Sequence, residues 1–416
     1  MRTVFKPYLT LVIVLIGTTC AWATTLKVKP GRSAIVRSAP AGSAKELLRL
    51  PSGTKVLMIG QAPRYYSIRL SDGNIGWSYK GSFEVVDEPA PSGGTCATPV
   101  TEANLLARPD VLKIVVVDVE VGDATLIICP EEDGERDVIL IDTGEDDSGR
   151  IRKELQDNGF SLLDRPITRF MVTHYDSDHC GDALELIPIS QIVYDHGNNN
   201  IKSSYLTGAN APGVDRRTMT LDYQEVFSGG VTIECVAVNQ ATDLDPSIAA
   251  SSPDDNPNSI AVIISYDGFD YFTGGDLTYK AEKSLAKGIK NCDVYHVNHH
   301  GSSATSSDLG FVTKLDPEVS IASNGTKFGH PRATVAQRLI GIGSRFYQTN
   351  INTDSKAHQP DLKYVADDTY PDDNEDEEQE GAKGTIRVVV DSTADTYYVI
   401  MPGLSLNEAT FSIENN

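Results

Sequence analysis

A chain of 416 residues with 36 basic and 58 acidic side chains carries a net charge of −22. That length supports two or three domains with a sizeable core, and that charge argues against holding nucleic acid or an anionic membrane through the overall field. Neither GxxxxGK[ST] nor GxGxxG occurs, so a phosphate-cradling loop or a dinucleotide site has no support.

Residues 1–23 read as a signal peptide. Arg2 and Lys6 flank the start, Leu9–Ile16 is an apolar run, and Ala21-Trp22-Ala23 offers a small-x-small cleavage site. The run is short for a bilayer and no second one follows, so the expectation is an exported chain, periplasmic or extracellular, with no transmembrane segment after cleavage. Taking Arg2 and Lys6 away from −22 leaves −24. Five cysteines then remain (Cys96, Cys129, Cys180, Cys235, Cys292), an odd number too small for a disulfide scaffold.

From residue 24 to 87 short β-rich runs alternate with turns: Ala34–Arg37, Lys55–Ile59, Tyr66–Leu70 and Ile75–Tyr79, separated by Pro51–Thr54 and Ser71–Asn74. Several short strands in so few residues predict a small β-barrel. The sequence VRSAP, LPSGTKV, RLSDGNIGW resembles the bacterial SH3-like domain, which implies a cell-wall or surface ligand. Tyr65, Tyr66 and Trp77 read as packing residues of this barrel. Residues 88–110 form a linker, rich in Pro, Gly and small residues up to Thr98.

From 111 to 416 strand and helix signals alternate, which predicts an α/β domain. Strands are expected at Lys113–Val119, Ala124–Cys129, Val138–Asp142, Ile167–Thr173, Val231–Val238, Ile260–Tyr266, Tyr271–Thr273, Val294–Val297, Val319–Ala322 and Thr385–Val390. Helices are expected at Ile151–Asn158, Gly181–Leu186, Ala281–Lys287 and Ala333–Ile342. An acidic insert at about 364–382, with nine acidic residues between Asp367 and Glu380, reads as a solvated loop.

The chemistry concentrates where the expected Ile167–Thr173 strand ends. His174, Asp176, Asp178 and His179 place four metal-ligating side chains in six positions. A polar loop explains any one of them, but not four together. Asp276, His299, His300, His330 and Asp142 also stand at ends of apolar runs with Gly or Asp neighbours, whereas core histidines would scatter along apolar faces. Imidazole and carboxylate donors suit zinc, manganese or iron, so a divalent metal site is the expectation. His196 and His358 lie in polar surroundings and read as exposed, and Cys180 as a buried thiol.

The ordered motifs VVDVEVGDATLII, ILIDTG, VTHYDSDHCGD, DNPNSIAVII, FTGGD, HVNHHGSSATS and NGTKFGHP resemble the metallo-β-lactamase fold, and within it the hydrolase domain of the ComEC competence (DNA-uptake) family. The resemblance implies an αββα sandwich, here preceded by the SH3-like barrel, with two zinc or manganese ions. It implies that His174 and Asp176 begin one metal site, that Asp178 and His179 begin the other with His330, and that Asp276 bridges them. His299 or His300 ligates metal or protonates the leaving group, and Asp178 shares in catalysis. Asp142, Asn256 and Asn258 support the ligands from outside. Asn256 and Asn258 stand where many fold members place a histidine, so the first site is expected to be poor in nitrogen donors. The implied reaction is attack by a metal-activated hydroxide on a phosphodiester, single-stranded DNA leading, with Lys280, Lys283, Lys287, Lys290, Lys327 and Arg332 as a candidate basic rim. The alternatives are a hydrolase of a cell-wall phosphodiester or of a lactone or amide, and a non-catalytic surface-binding protein.

Overall fold

The structure is a computed structural model that describes residues 24–37, 45–61, 64–69, 75–86, 100–146, 148–248, 254–325, 328–367 and 384–413. The expected signal peptide, the linker up to Pro99 with Cys96, the turn at Ser71–Asn74, Lys327 and positions 368–382 of the acidic insert lie outside them. The chain divides into two compact units, Met1–Val100 and Thr101–Asn416.

The first unit is an antiparallel sheet of seven strands: β1 (Thr24–Val28), β2 (Ala34–Arg37), β3 (Glu46–Leu50), β4 (Lys55–Gln61), β5 (Tyr65–Arg69), β6 (Ile75–Tyr79) and β7 (Phe83–Val86), in the order β3-β2-β6-β5-β4-β1-β7. Alternation along the strands turns Leu26, Val28, Val36, Ile68 and Phe83 into one small core. Tyr66 packs edge-on against Phe83, and Tyr79 remains exposed.

The second unit opens with α1 (Glu102–Ala107), whose first turn is capped by the Thr101 side chain. Its first sheet contains β8 (Leu112–Val116), β9 (Thr125–Ile128), β10 (Val138–Ile141), β11 (Ile167–Met171), β12 (Ser190–Asp195) and β13 (Asp215–Thr218), with α2 (Ser148–Asp157), α3 (Ser177–Cys180), α4 (Ala183–Leu186) and α5 (Tyr205–Ala209) between them. The second sheet contains β14 (Gln224–Val226), β15 (Thr232–Val238), β16 (Ala241–Thr242), β17 (Ala261–Tyr266), β18 (Phe269–Thr273), β19 (Val294–His296), β20 (Val319–Ala322), β21 (Arg345–Asn350) and β22 (Val365–Asp367), with α6 (Tyr279–Leu285), α7 (Leu309–Leu315) and α8 (Ala333–Gly341). Strands β23 (Ile386–Asp391), β24 (Thr396–Ile400) and β25 (Thr410–Ser412) return to the first sheet beside β8. The acidic insert therefore begins in order: Val365–Asp367 is an edge strand parallel to β21.

Period-two alternation in largely apolar, fully buried strands builds the layers. In β8 to β10, Ile114, Val116, Ile127, Ile139 and Ile141 meet Ile233, Val262, Ile264, Tyr271 and Ile321 of the other sheet. Their neighbours Val115, Leu126, Ile128, Val138 and Leu140 face the opposite way, packing with Ile151 and Leu155 of α2 and Tyr205 of α5. On the far side Ile263, Phe272 and Tyr295 pack with Leu285, Phe311 and Leu339 of α6, α7 and α8. Each fully buried Leu, Ile or Phe contributes roughly 1.5–3 kcal/mol relative to exposure. The result is helices, sheet, sheet, helices. No helix among the described residues is long and apolar enough to cross a membrane.

Candidate metal centre

The candidate residues gather beyond the C-terminal ends of strands, where α/β sheets build their sites. The strand β10 runs parallel to β11, and β18 parallel to β19 and β20. Asp142 follows β10, the His174–His179 loop follows β11, Asp276 follows β18, and His299 and His300 follow β19. Helix α3 starts at Ser177, earlier than the sequence predicts, so Asp178 and His179 sit in its first turn.

Close backbone approach brings these loops together. A Cβ on Gly122 would lie 1.7 Å from the Asp178 carbonyl oxygen, and one on Gly275 2.5 Å from Thr173 Oγ1. Only glycine fits at such positions. The Asp123 and Thr143 amides donate to the Asp178 and His179 carbonyls, and the His299 amide donates to the Gly275 carbonyl. His299 and His300 both adopt left-handed backbone, φ 52° and 50°.

Four imidazoles converge on Asp276. His179 Nε2 lies 3.1 Å and His300 Nε2 3.5 Å from Asp276 Oδ1; His299 Nε2 lies 3.2 Å and His174 Nε2 4.0 Å from Oδ2. Each ring is oriented from behind by an oxygen at Nδ1, which leaves Nε2 as the inward donor. For His179 the partner is Asp142 at 2.8 Å, and for His300 it is Asp123 at 3.3 Å. Thr173 Oγ1 gives its proton to Asp142, so at 3.2 Å it accepts from His174. Thr305 Oγ1 gives its proton to Ser302 and accepts from His299 at 2.8 Å.

Asp178 reaches His300 Nε2 at 3.5 Å, and the half-exposed Asp176 lies 3.6 Å from His174 Nε2. Among the described residues, His174–His179–Asp276, Asp178–His179–His300, Asp123–Asp142–His179 and Asp123–Asp276–His300 each hold ligand atoms within 4.8 Å of one another. His174 Nε2 and Asp276 Oδ1 are buried and complete no hydrogen bond. Buried polar atoms are normally satisfied, so these inward atoms, with several carboxylates whose cationic partners are histidines alone, fit a divalent metal.

The electrostatics agree. Burial opposes charge on every group here, yet the surrounding imidazoles hold Asp276 well below the usual carboxylate range. Burial likewise disfavours the His179 cation, but Asp276 and Asp142 lift its pKa well above the ordinary value. His300 rises for the same reason beside Asp123 and Asp276. The Asp123 carboxyl falls to about 2, the His300 and His296 charges overcoming its burial.

Several sequence expectations change at this point. His330 belongs to none of the four groups; its ring stands 6.0 Å from that of His299, in the cleft shared with Asp178 and His300. Burial and the nearby imidazoles push it down to about 4. The place beside Asp178 and His179 is taken by His300. The Asp276 Oδ2 side is not poor in nitrogen, because His299 comes from another loop. The Asn256 amide sits beside it: in one orientation it donates to Asp276 Oδ2 at 3.3 Å, in the other to Asp254 and Asp176 at 3.0 Å. Asn258 instead donates to Asp255 at 2.7 Å, while Asp255 Oδ2 accepts the Tyr175 amide.

His196 is buried rather than exposed, stacked on Tyr175 and 3.4 Å from Asp255. A polar loop in sequence thus becomes the support behind the His174–Asp176 segment. His358 is half-buried against Phe346. Cys180 is buried, its thiol pushed up to about 12 by desolvation. The candidate basic rim is largely paired: Lys287 with Asp245 at 3.6 Å, Lys290 with Asp270 at 2.8 Å, Lys283 with Asp308 at 3.9 Å.

Sequence reasoning gave no role to Asp123, His296 or Glu282. Asp123 is a lone carboxylate between Gly122 and an apolar strand, and its proximity to His300 depends on a contact between the two sheets. His296 is buried 3.6 Å from Asp123 and hydrogen-bonds Ser323 at 2.9 Å. Glu282, wholly buried on α6, accepts from Asn298, Ser307 and Asp308, clamping both ends of the loop that carries His299 and His300. Desolvation lifts its carboxyl to about 7.

The model of the metallo-beta-lactamase superfamily matches residues 117–204, the stretch holding Asp123, Asp142 and the His174–His179 loop. Over that stretch the chain is similar to the metallo-β-lactamase superfamily. Recombination protein 2 of Haemophilus influenzae is 26% identical over 244 residues, which is 57% of this chain and 27% of that protein. Competence protein ComA of Neisseria gonorrhoeae is 25% identical over 195 residues, 45% of this chain and 25% of its own. The match thus spans about a quarter of the length of both relatives. Among solved structures, the metallo-beta-lactamase fold protein YhfI from Bacillus subtilis aligns over 57% of this chain and 96% of its own, with 13% identity and a TM-score of 0.39.

Proposed function

We propose that the chain is an exported metal-dependent phosphodiesterase, a nuclease with single-stranded DNA among its substrates, in which Asp276 and the imidazoles around it would hold two zinc or manganese ions. The observation that carries this reading is the division of four imidazoles between the two oxygens of one buried carboxylate. Asp178, His179 and His300 gather on the Oδ1 side, and His174, Asp176 and His299 on the Oδ2 side. Divalent ions bound there supply water of lowered pKa and positive charge opposite a phosphoryl oxygen.

The chain's own groups do the rest. Asp142, Thr173 and Thr305 bond the Nδ1 atoms of His179, His174 and His299, and Asp123 faces that of His300 at 3.3 Å, so each imidazole offers Nε2 to the centre. Asn256 fixes the rim beside His299. His330 lines the cleft where substrate enters. The names of the two relatives, a recombination and a competence protein, favour a nucleic acid as the phosphodiester. The seven-stranded unit provides localisation through a cell-wall or surface ligand, and export rests on the N-terminal sequence pattern.

The test is to strip the chain with a chelator, reload it separately with Mn²⁺ and Zn²⁺, and follow hydrolysis of bis(p-nitrophenyl) phosphate beside Asp178→Ala. Metal-dependent turnover that the variant loses is the expected result. Stoichiometric metal without phosphodiester turnover transfers the reading to a lactone or amide. Failure to take up metal leaves a non-catalytic binding protein.

A further inference from the structure

We infer that Phe328 is a stacking platform for the nucleobase adjoining the scissile phosphodiester, so that the substrate is a nucleotide ester or short single strand recognised chiefly by its base. This rests on the phosphodiesterase reading and gives it a substrate class.

Three observations converge on the ring. Phe328 is 66% exposed, the one exposed aromatic of residues 101–416 among those described. Its backbone is left-handed, φ 63°, a conformation that costs a residue with a Cβ roughly 1–2 kcal/mol. Strain of this kind persists where a ligand clamp needs it, and here it holds an apolar ring in water rather than in a core. The ring also lines the same cleft as Asp178, His300, Asn324 and His330. Its centroid is 6.2 Å from that of His330, with the planes tilted by 35°.

Charge decides what lies on that ring. The chain carries −22, and Lys283, Lys287 and Lys290 of the candidate rim face Asp308, Asp245 and Asp270, while Lys280 donates to Gln240 and Arg332 stands near His330. Attraction to a phosphate backbone, the usual source of affinity for a polyanion, is therefore weak. Stacking needs no charge, and every base has a π-face to offer. A nucleobase on Phe328 sets its own phosphodiester toward Asp178 and His300, while neighbouring phosphates add little.

The experiment uses the metal-loaded full chain and two esters with the same leaving group, thymidine 5′-(p-nitrophenyl phosphate) and methyl p-nitrophenyl phosphate. The ratio of their kcat/KM values reads the base. Phe328→Ala should lower that ratio about tenfold, within the range for one stacked base, and Phe328→Trp should keep it within about twofold. Raising salt from about 50 to 200 mM should change kcat/KM for the thymidine ester less than about twofold, since few phosphates are neutralised. A purely structural ring lowers both esters equally and leaves the ratio unchanged, which overturns the inference. Titration with thymidine 5′-monophosphate against inorganic phosphate reads stacking without turnover. Equal affinities of the parent chain and Phe328→Ala for the nucleotide overturn it too. Loss of turnover on both esters in the parent chain, with the nucleotide still bound through Phe328, counts against the phosphodiesterase reading instead.

Discussion

The first sheet delivers His174, Asp176, Asp178 and His179 from one six-residue loop, whereas the second delivers Asp276 from the end of β18 and His299 and His300 from the end of β19. The two contributions are fixed differently. The contiguous loop is held by the first turn of α3, by Asp142 and by the buried His196–Asp255 pair. The dispersed set depends on left-handed backbone at two histidines and on the buried Glu282 clamp. The first sheet supplies both orienting carboxylates: Asp142 stands behind its own His179, and Asp123 stands behind His300 of the second sheet. A site split this way is complete only when both sheets are packed.

That contrast can be broken at its centre. Asp276→Ala removes the carboxylate on which all four Nε2 atoms converge, and should cost about 10³-fold or more in turnover along with stoichiometric metal. Metal analysis of the purified variant checks it, and full occupancy would show that each sheet binds metal alone. Next come the two orienting carboxylates. Asp142→Asn and Asp123→Asn should each weaken metal affinity about 10–100-fold, measured by competition with a chromophoric chelator. A loss at Asp142 alone would show that the Asp123–His300 contact between the sheets is dispensable.

The last test concerns stability and Glu282. Its pKa is raised in the folded chain, from 4.5 to about 7, so the folded state binds more protons than the unfolded state between those values. Its contribution to stability is therefore fully present below pH 4.5 and is lost as pH rises to 7, on the order of 2–3 kcal/mol. Denaturant unfolding of the metal-free chain and of Glu282→Gln at pH 5 and 7.5 checks the sign. The parent should lose more stability than the variant over that interval, and equal losses would remove Glu282 from the account.

Much of the second unit is legible in the sequence, because its strands are continuous apolar runs. Val319–Ala322 falls within the expected bounds to the residue, and most others within one to three. The strands that escape notice include β12, β21 and β24, whose runs SQIVYD, RFYQTN and TYYVI mix polar residues or aromatics into buried positions, and the short β13, β14, β16, β22 and β25. Helices α1, α5 and α7 have no counterpart in the sequence pattern; in α7, Gly310, Val312 and Thr313 lower helix propensity over Leu309–Leu315. His196 looked exposed because Asn198, Asn199 and Asn200 follow it. Its burial comes from Tyr175 and Asp255, one before and one after it in sequence and both distant.

The sequence by itself determined the α/β class and the contiguous His174–His179 cluster, since apolar runs and the spacing of four side chains within six positions are local properties of the chain. Only the tertiary structure decided that His300 rather than His330 lies close to Asp178 and His179, that His299 comes within 3.2 Å of Asp276 Oδ2, and that Asp123 stands behind His300. Those choices are distances between loops far apart in the chain. They are set by glycine-tight backbone contacts and sheet packing, which no spacing along the sequence encodes.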